Sequence, residues 1–440
     1  MRLTFKELKD EISKIVPKSI DYKVDLEAGN IAIVTNEPQK FGGGDGLVGK
    51  IAKKIKRKIK VRPDPSIVKS EQDAKSIIES IIPAEAEISQ IYFDSCFSEV
   101  IIQCKNPGEA VGRRGANVNE IRDKAGWIPI VERTPPLLSK TVHDIRGYRQ
   151  VNAEERRKLL KNFGLNIHRP KRPGSMWARV TALGSYREVG RACHLVTTNE
   201  SRIMIDVGVN VANDNDPMPF FNAPEALPVD KLDAVILTHA HLDHAGMLPI
   251  LFKYGYRGPV YCTPPTRDLM LLLQTDYLKI GGTEGKRAPY SMEDIRTCQR
   301  HVVDVDWDQT TDIAPDVKMT FSNSGHILGS SAVHLHIGDG KHNLLFSGDQ
   351  KYEKSWLFDA ANTRFPRVES LVLESTYGSE GDYQPSRQEA NQELQDIVMR
   401  TIQRGGKLIC PVFAVGRSQE VMIAIDELFR SGTVKPVPVW

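Results

Sequence analysis

Three histidines and an aspartate crowd into the stretch Thr238-His-Ala-His-Leu-Asp-His-Ala-Gly246. Imidazole nitrogens and carboxylate oxygens are the donors that zinc prefers. His239, His241, Asp243 and His244 directly follow the apolar run Val235-Ile-Leu237, so they stand where a buried strand opens into a loop, a common place for a site. So local a cluster cannot wrap a tetrahedral ion by itself, and further donors must arrive from elsewhere in the chain. Candidates stand at other strand ends or Gly-flanked turns: Asp206 in Ile205-Asp-Val-Gly208, His326 in Ser324-Gly-His-Ile-Leu-Gly329, and Asp349 in Phe346-Ser-Gly-Asp349. Glu374, in Leu373-Glu-Ser-Thr-Tyr-Gly378, closes another apolar run. Ordinary loop histidines beside a helix-capping aspartate are the bland alternative, but separate strand-end motifs agree in order and residue type. His334 and His336 alternate on one strand face and read as hydrogen-bonded sheet residues, as do His194 and His342.

The elements that must position these groups start near Trp177. Ala178–Leu183, Ala192–Thr198 and Ser201–Ile205 read as short strands. Further strands are expected at 234–237, 260–262, 333–337, 343–346 and 370–373, with helices over 265–277 and 386–401. Strand runs followed by alternating helices and strands indicate a layered α/β sandwich. Upstream, Pro135-Pro136 and Arg169-Pro-Lys-Arg-Pro-Gly174 bracket a connector. Asn152-Ala-Glu-Glu155 there reads as the N-cap of a charged helix reaching about Asn162.

The N-terminal part holds a weak internal repeat. Its first copy has strand-like runs at 19–26 and 30–35, a Gly-rich turn Gly42-Gly-Gly-Asp-Gly-Leu-Val-Gly49, and the basic run 50–62, closing with Ile59-Lys-Val-Arg-Pro63. Its second copy has runs at 87–93 and 99–104, the turn Gly112-Arg-Arg-Gly115, a helix at 116–124 and a closing strand from Trp127. Ile51, Ile55 and Ile59 fall at i, i+4 and i+8, a helical stripe that leaves lysines and arginines on the other faces. Such a run is either a solvated helix face or a phosphate-backbone patch; a membrane-surface helix ranks lower. Each copy resembles a KH domain, whose G-x-x-G loop clamps a nucleic-acid backbone. Glycines let backbone N–H groups approach phosphates, and the next helix N-terminus adds a favourable dipole. The residues expected to contact RNA are Gly46, Gly49 and Lys50 in the first copy, and Gly112, Arg113, Arg114 and Gly115 in the second.

The chain has 440 residues, about three domains' worth. Its 40% hydrophobic and 26% charged residues are ordinary for a globular protein. No run has the length of a membrane span, and Met1–Leu8 lacks the apolar core of a signal peptide. The six cysteines are scattered without a C-x-x-C pair, which argues against a disulfide framework and a thiolate metal site, and for a reducing cytoplasm.

The order Asp206, His239-x-His241-x-Asp243-His244, His326, Asp349 resembles the metallo-β-lactamase superfamily. The resemblance implies an αββα sandwich binding two zinc ions. His239, His241 and His326 would hold the first, Asp243 and His244 the second; Asp349 would bridge both and Asp206 would orient the ligand loop. The Glu374 motif and Pro411-Val-Phe-Ala-Val-Gly-Arg-Ser-Gln-Glu420 resemble the β-CASP nucleases. With two KH-like modules, the whole chain resembles the archaeal relatives of the cleavage and polyadenylation specificity factor endonuclease. That likeness implies hydrolysis of single-stranded RNA in 3′-end formation and transcription termination, with Asp206, Asp243 and Glu374 in catalytic roles. RNA polymerase and elongation factors are further partners that it implies. The expected domains are two small α+β KH-like modules at 1–68 and 69–145, a linker with a short helix at 146–175, the metallo-β-lactamase domain at 176–380, and the start of a β-CASP insert at 381–440. The family carries two further histidine motifs beyond this insert, whereas no histidine follows His342 here. A C-terminally truncated chain is therefore expected, with an incomplete second zinc site and without the segments through which the family forms homodimers. Two other readings stay open: an RNA-binding or scaffolding protein with an inactive metal site, and a small-molecule hydrolase such as a thioesterase or lactonase.

Overall fold

A computed structural model describes residues 3–42, 46–137, 140–213, 215–283 and 288–440. The first module runs α1 (Phe5–Ser13), β1 (Tyr22–Glu27), β2 (Asn30–Thr35), α2 (Leu47–Ile55) and β3 (Ile59–Pro63). The capping box of Thr4 and Glu7 starts α1, and Leu8 and Ile12 turn its apolar face inward. The second module repeats the plan with α3 (Glu71–Ile81), β4 (Ile88–Asp94), β5 (Glu99–Cys104), α4 (Pro107–Val111), α5 (Ala116–Ala125) and β6 (Ile128–Arg133). In each three-stranded sheet the first two strands are antiparallel and the last two parallel.

Two sequence expectations shift here. Helix α2 ends in the left-handed turn at Lys56, so Ile51 and Ile55 are buried on the helix while Ile59 begins β3. The helical stripe therefore has two members, not three. Gly46 and Gly115 each N-cap the helix that follows, which makes Gly46 the counterpart of Gly115. Gly49 and Lys50 accordingly stand on α2 rather than in a clamp loop, and residues 43–45 lie outside the described residues.

The linker expected at 146–175 is largely helical as far as Ile167. Helix α6 (Lys140–Val151) leads into α7 (Ala153–Ile167), which is longer than the acidic N-cap signal suggested. Phe163 and Ile167 are buried with Val303 and Ile313 of the following domain, and the Leu160 carbonyl accepts the Ala28 N–H. The buried Arg156 donates to the carbonyls of Gln299, Arg300 and Val302. A sequence pattern of charged residues hides this, because Arg156 is buried by tertiary packing against carbonyls at a distant helix end.

The large domain begins with β7 (Ala178–Gly184), β8 (Cys193–Thr198), β9 (Arg202–Ile205) and β10 (Ala234–Ile236), followed by α8 (Leu242–Ala245), α9 (Leu248–Lys253), β11 (Val260–Cys262), α10 (Pro264–Thr283), α11 (Met292–His301) and β12 (Val302–Asp304). These strands form one six-stranded sheet in the order β12-β11-β10-β9-β8-β7. A second sheet follows from β13 (Thr310–Ala314), β14 (Val317–Asn323), β15 (Ser331–Ile337), β16 (His342–Phe346) and β17 (Ser370–Val372), in sequential order. Val196, Ile203, Ile205 and Ile236 of the first sheet bury against Met319, Phe321, Val333 and Leu335 of the second. The other face of the first sheet is covered by Leu251 and Phe252 of α9, Met270 of α10 and Ile295 of α11. Burial on both faces explains why β10 and β11 read as continuous apolar runs. The chain continues into α12 (Arg387–Gln403), with its Ser386–Glu389 capping box, and α13 (Arg417–Arg430).

The modules are docked on one another through buried charge. Arg62 on β3 holds both Glu27 oxygens, at 2.8 and 2.9 Å, together with Glu99 and the Phe97 carbonyl of the second module. Arg57 pairs with Asp312 of β13. Gly29 lets the β1–β2 turn approach that strand, since a Cβ there would lie 2.4 Å from the Asp312 carbonyl oxygen.

Candidate metal centre

Parallel strands β9 and β10 pair Ile205 with Ile236, so both chains leave the sheet at the same level. Asp206, at φ 58°, turns its carboxylate across to the neighbouring loop. One oxygen accepts the Thr238 N–H, at 2.8 Å, and the other the Thr238 hydroxyl, also at 2.8 Å. His244 Nδ1 lies 2.8 Å from that second oxygen. These bonds hold the left-handed backbone at Asp206, a residue type that tolerates it. Short helix α8, with His241 as its N-cap residue, carries Asp243 and His244. His326 stands on the turn after β14, and Asp349 on the turn after β16.

These loops converge. His239 Nε2 lies 3.2 Å from His241 Nδ1, which is 3.1 Å from His326 Nε2. Asp349 Oδ2 is 3.8 Å from His239 Nε2 and 3.5 Å from His326 Nε2. The other oxygen of Asp349 lies 3.1 Å from His244 Nε2, with Asp243 Oδ2 3.7 Å from the same nitrogen. Two donor groups result: His239, His241, His326 and Asp349, and Asp243, His244 and Asp349.

Whether these residues suit a cation is decided at the far side of each ring. His239 Nδ1 is 3.0 Å from the Thr238 hydroxyl, His241 Nε2 is 3.3 Å from the Val415 carbonyl, and His244 Nδ1 faces Asp206. A carbonyl or carboxylate partner requires the proton on the outer nitrogen. At His241, and at His239 whose Thr238 partner already donates to Asp206, that leaves lone pairs on the inner nitrogens, which face one another at 3.2 Å. Lone pairs so aimed repel unless a cation lies between them, and outer-ring acceptors of this kind are the usual support of metal-binding histidines. The donor set therefore fits metal ions.

Electrostatics agree. Burial holds the His239 imidazole well below its ordinary pKa, reinforced by the neighbouring His244 cation; burial likewise pushes His326 down, to about 4, against the pull of Asp349. Both are neutral ligands at pH 7. Burial also disfavours charge on His244, but Asp349, Asp206 and Asp243 outweigh it and raise its pKa. Burial opposes ionisation of Asp349, yet the surrounding imidazoles hold it well below the usual carboxylate range. Three carboxylates around one loop call for compensating positive charge.

The seven residues from Asp206 to Asp349 thus meet at one place. Glu374 stands one strand over, outside both donor groups; its N–H donates to Ser347 Oγ at 3.0 Å and its carboxylate accepts the Thr376 N–H at 2.9 Å. Arg113 and Arg114 are exposed on the turn before α5. His334 bonds the Arg367 carbonyl, His336 bonds Thr320 and Asn343, and His342 bonds Ser370. His194 instead packs between Tyr186, edge to face, and the tilted ring of Phe346. Two supporting groups escaped sequence reasoning. Thr238 is adjacent to the histidine motif, but its role depends on which strand lies beside it. The Val415 carbonyl is a backbone atom of a distant segment, and side-chain identity carries no trace of it.

Residues 186–392 match the metallo-β-lactamase superfamily, and residues 2–68 match the KH domain of transcription termination factor FttA. A transcription termination factor FttA from Methanosarcina mazei is 48% identical over 435 residues, covering 99% of this chain and 68% of the relative. Its counterpart from Methanothermobacter thermautotrophicus is 45% identical over 437 residues, covering 99% and 69%; one from a Lokiarchaeum is 42% identical over 440 residues, covering 100% and 69%. The chain spans about two thirds of the length of these relatives. Among the described residues no helix is long and apolar enough to cross a membrane. A metallo-β-lactamase sandwich that carries its histidine–aspartate cluster on converging strand ends, preceded by a KH module and matched along nearly its whole length, places this chain in the transcription termination factor FttA family.

Proposed function

We propose that this chain is a zinc-dependent ribonuclease that cleaves single-stranded RNA in 3′-end formation and transcription termination. The observation that carries the proposal is the pair of donor groups sharing Asp349, with inner ring nitrogens turned towards a common point. His239, His241, His326 and Asp349 would hold one ion, and Asp243, His244 and Asp349 a second. When bound, two such ions lower the pKa of water towards about 7 and neutralise charge on phosphoryl oxygens. The chain's own residues supply the rest. Asp206 locks His244 and Thr238 in place, and Thr238 does the same for His239. Glu374, at the end of the strand beside that of Asp349, and a histidine of the family's later motifs are the candidates to protonate the departing ribose oxygen. The two KH-topology modules, with Arg113 and Arg114 at an exposed turn, would hold the RNA. The expected domain limits are retained, with one change: α7 belongs to the packed body. RNA polymerase and elongation factors are proposed partners in that termination role.

The test is cleavage of end-labelled single-stranded RNA with zinc, with chelator, and with His241→Ala. Zinc-dependent cleavage that disappears in the variant supports the proposal. RNA binding without turnover at full zinc loading would favour the scaffolding alternative. Turnover of small esters without RNA cleavage would favour the small-molecule hydrolase.

A further inference from the structure

The geometry points to a second RNA contact on the seam between the first KH module and the catalytic sandwich, where phosphates sit among Lys56, Lys58 and Lys318 and a base stacks on Trp307. This rests on the ribonuclease reading above and adds a path to it.

A cleft of about 230 Å³ opens on that seam. Lys56, Arg57, Lys58 and Lys318 line it, with Asp312 as the single acid, so positive charge is in excess by three. Arg57 and Asp312 neutralise each other, and both side chains are nearly buried, which fixes the cleft wall. The lining as a whole therefore stays positive. Lys56 occupies the left-handed position that ends α2, at φ 53°, where glycine or asparagine is usual. Keeping a long cation there carries backbone strain of about 1 kcal/mol or more, a cost that a plain helix stop would avoid. Lys58 is aimed across the seam and bonds the Gln309 side chain at 2.9 Å.

Charge alone would fit a solvated surface equally well. Trp307 is the independent observation. It lies two residues before Gln309 and is 42% exposed. Its Nε1–H donates to Ser331 Oγ at 2.9 Å, which pins the ring while leaving surface open. Ser331 in turn donates its N–H to the Thr238 carbonyl, next to the ligand His239. Lys58 thus reaches the segment that carries Trp307, and the indole bonds a residue joined to the metal loop. A basic groove together with a fixed, exposed aromatic ring is what sequence-tolerant binding of single-stranded RNA requires. Asp306 and Asp308 flank the indole and are exposed. They repel phosphate, so Trp307 takes a base while the backbone is held in the cleft. On the other side, α2 runs nine residues from its cap at Gly46 to Ile55, about 14 Å, with Lys50 exposed along it. RNA passing Gly46 would follow that helix into the cleft.

The experiment measures anisotropy of two labelled oligouridines on the full chain, one of about four nucleotides that fills a KH clamp and one of roughly 15 that also reaches the seam. Trp307→Ala should weaken the longer RNA by about 5-fold or more, since stacking on an aromatic ring supplies at least that per base, and leave the tetranucleotide unchanged. Trp307→Phe should restore most of the loss. Lys56→Ala with Lys58→Ala should lower the salt slope for the longer RNA by about 1.4. Arg113→Ala with Arg114→Ala should weaken both RNAs. If wild-type protein binds both RNAs and the seam variants bind the longer one with unchanged affinity and slope, the path is refuted and the ribonuclease reading stands. If wild-type protein binds neither RNA, both fall together.

Discussion

Gly416→Ala tests whether the segment after α12 helps to build the metal centre. Gly416 sits at φ 96° and ψ −77°, a conformation for glycine alone, and a Cβ there would lie 2.8 Å from Ile327 Cγ2. Carbon atoms attract best at about 3.5–4.0 Å, so the contact is repulsive. Backbone strain adds roughly 1–3 kcal/mol. The cheapest relief is a shift of the 413–416 turn, whose Val415 carbonyl reaches His241 Nε2 at 3.3 Å. That bond is already long, and a shift of a few tenths of an ångström breaks it. His241 then loses the partner that fixes its tautomer. Losing such a support costs about 10- to 100-fold in metal affinity, or roughly 1.4–2.7 kcal/mol. Zinc affinity measured by competition with a chromophoric chelator, and the visible spectrum of the cobalt-substituted protein, read this directly. Gln419→Ala should act in the same direction, because its side chain holds the turn through the Gly416 N–H at 2.7 Å and the Ala414 carbonyl at 3.0 Å. Gly405→Ala is the control: its φ is also positive, at 68°, but a Cβ there meets open space. Unchanged zinc affinity and cobalt spectrum in both Gly416→Ala and Gln419→Ala would refute the reasoning.

Three further outcomes are expected. Thr238→Val keeps the shape but removes the hydroxyl shared by Asp206 and His239, so zinc affinity should fall about 10-fold or more, with thermal stability lowered by roughly 1–3 kcal/mol for the unpaired buried groups; equal chelator resistance in wild type and variant would contradict this. Zinc titration by calorimetry should resolve one tighter and one weaker site, because four protein donors form the first group and three the second; two equal sites would count against the assignment. Burial resists ionisation of Glu27, but the Arg62 hydrogen bonds and the Lys60 charge outweigh it and pull the pKa from 4.5 to about 2. Its stabilising contribution is therefore full above about pH 4.5 and is lost as pH falls towards about 2, amounting to roughly 3 kcal/mol. Acid unfolding of Glu27→Gln should lack that component, and identical pH dependence in both proteins would reject the buried-pair account.

Much of the site was legible because its residues carry their chemistry in their side chains and stand at strand ends that the apolar runs announce. His239, His241, Asp243, His244, His326 and Asp349 could be picked out from type and position, and the structure brings them within one cluster. The sandwich was legible for the same reason in strands such as Val260–Cys262, but β13 and β14, with Thr310–Asp312 and Lys318–Thr320 among their residues, are too polar to stand out. Helix ends were misjudged where tertiary packing overrode local signals. Lys56 stops α2 without a glycine, and α7 extends to Ile167 because Phe163 and Ile167 have a core to enter.

The sequence by itself determined the inventory: which donors exist, which strand ends carry them, and which glycines and cations flank the KH modules. Only the tertiary structure decided the partnerships. Strands separated by a long loop set Asp206 beside Thr238, a backbone carbonyl from 174 residues away meets His241, and buried ion pairs join the modules. The physical reason is that a side chain's chemistry is local to its residue, whereas hydrogen bonds to backbone atoms and burial depend on what the rest of the chain places alongside.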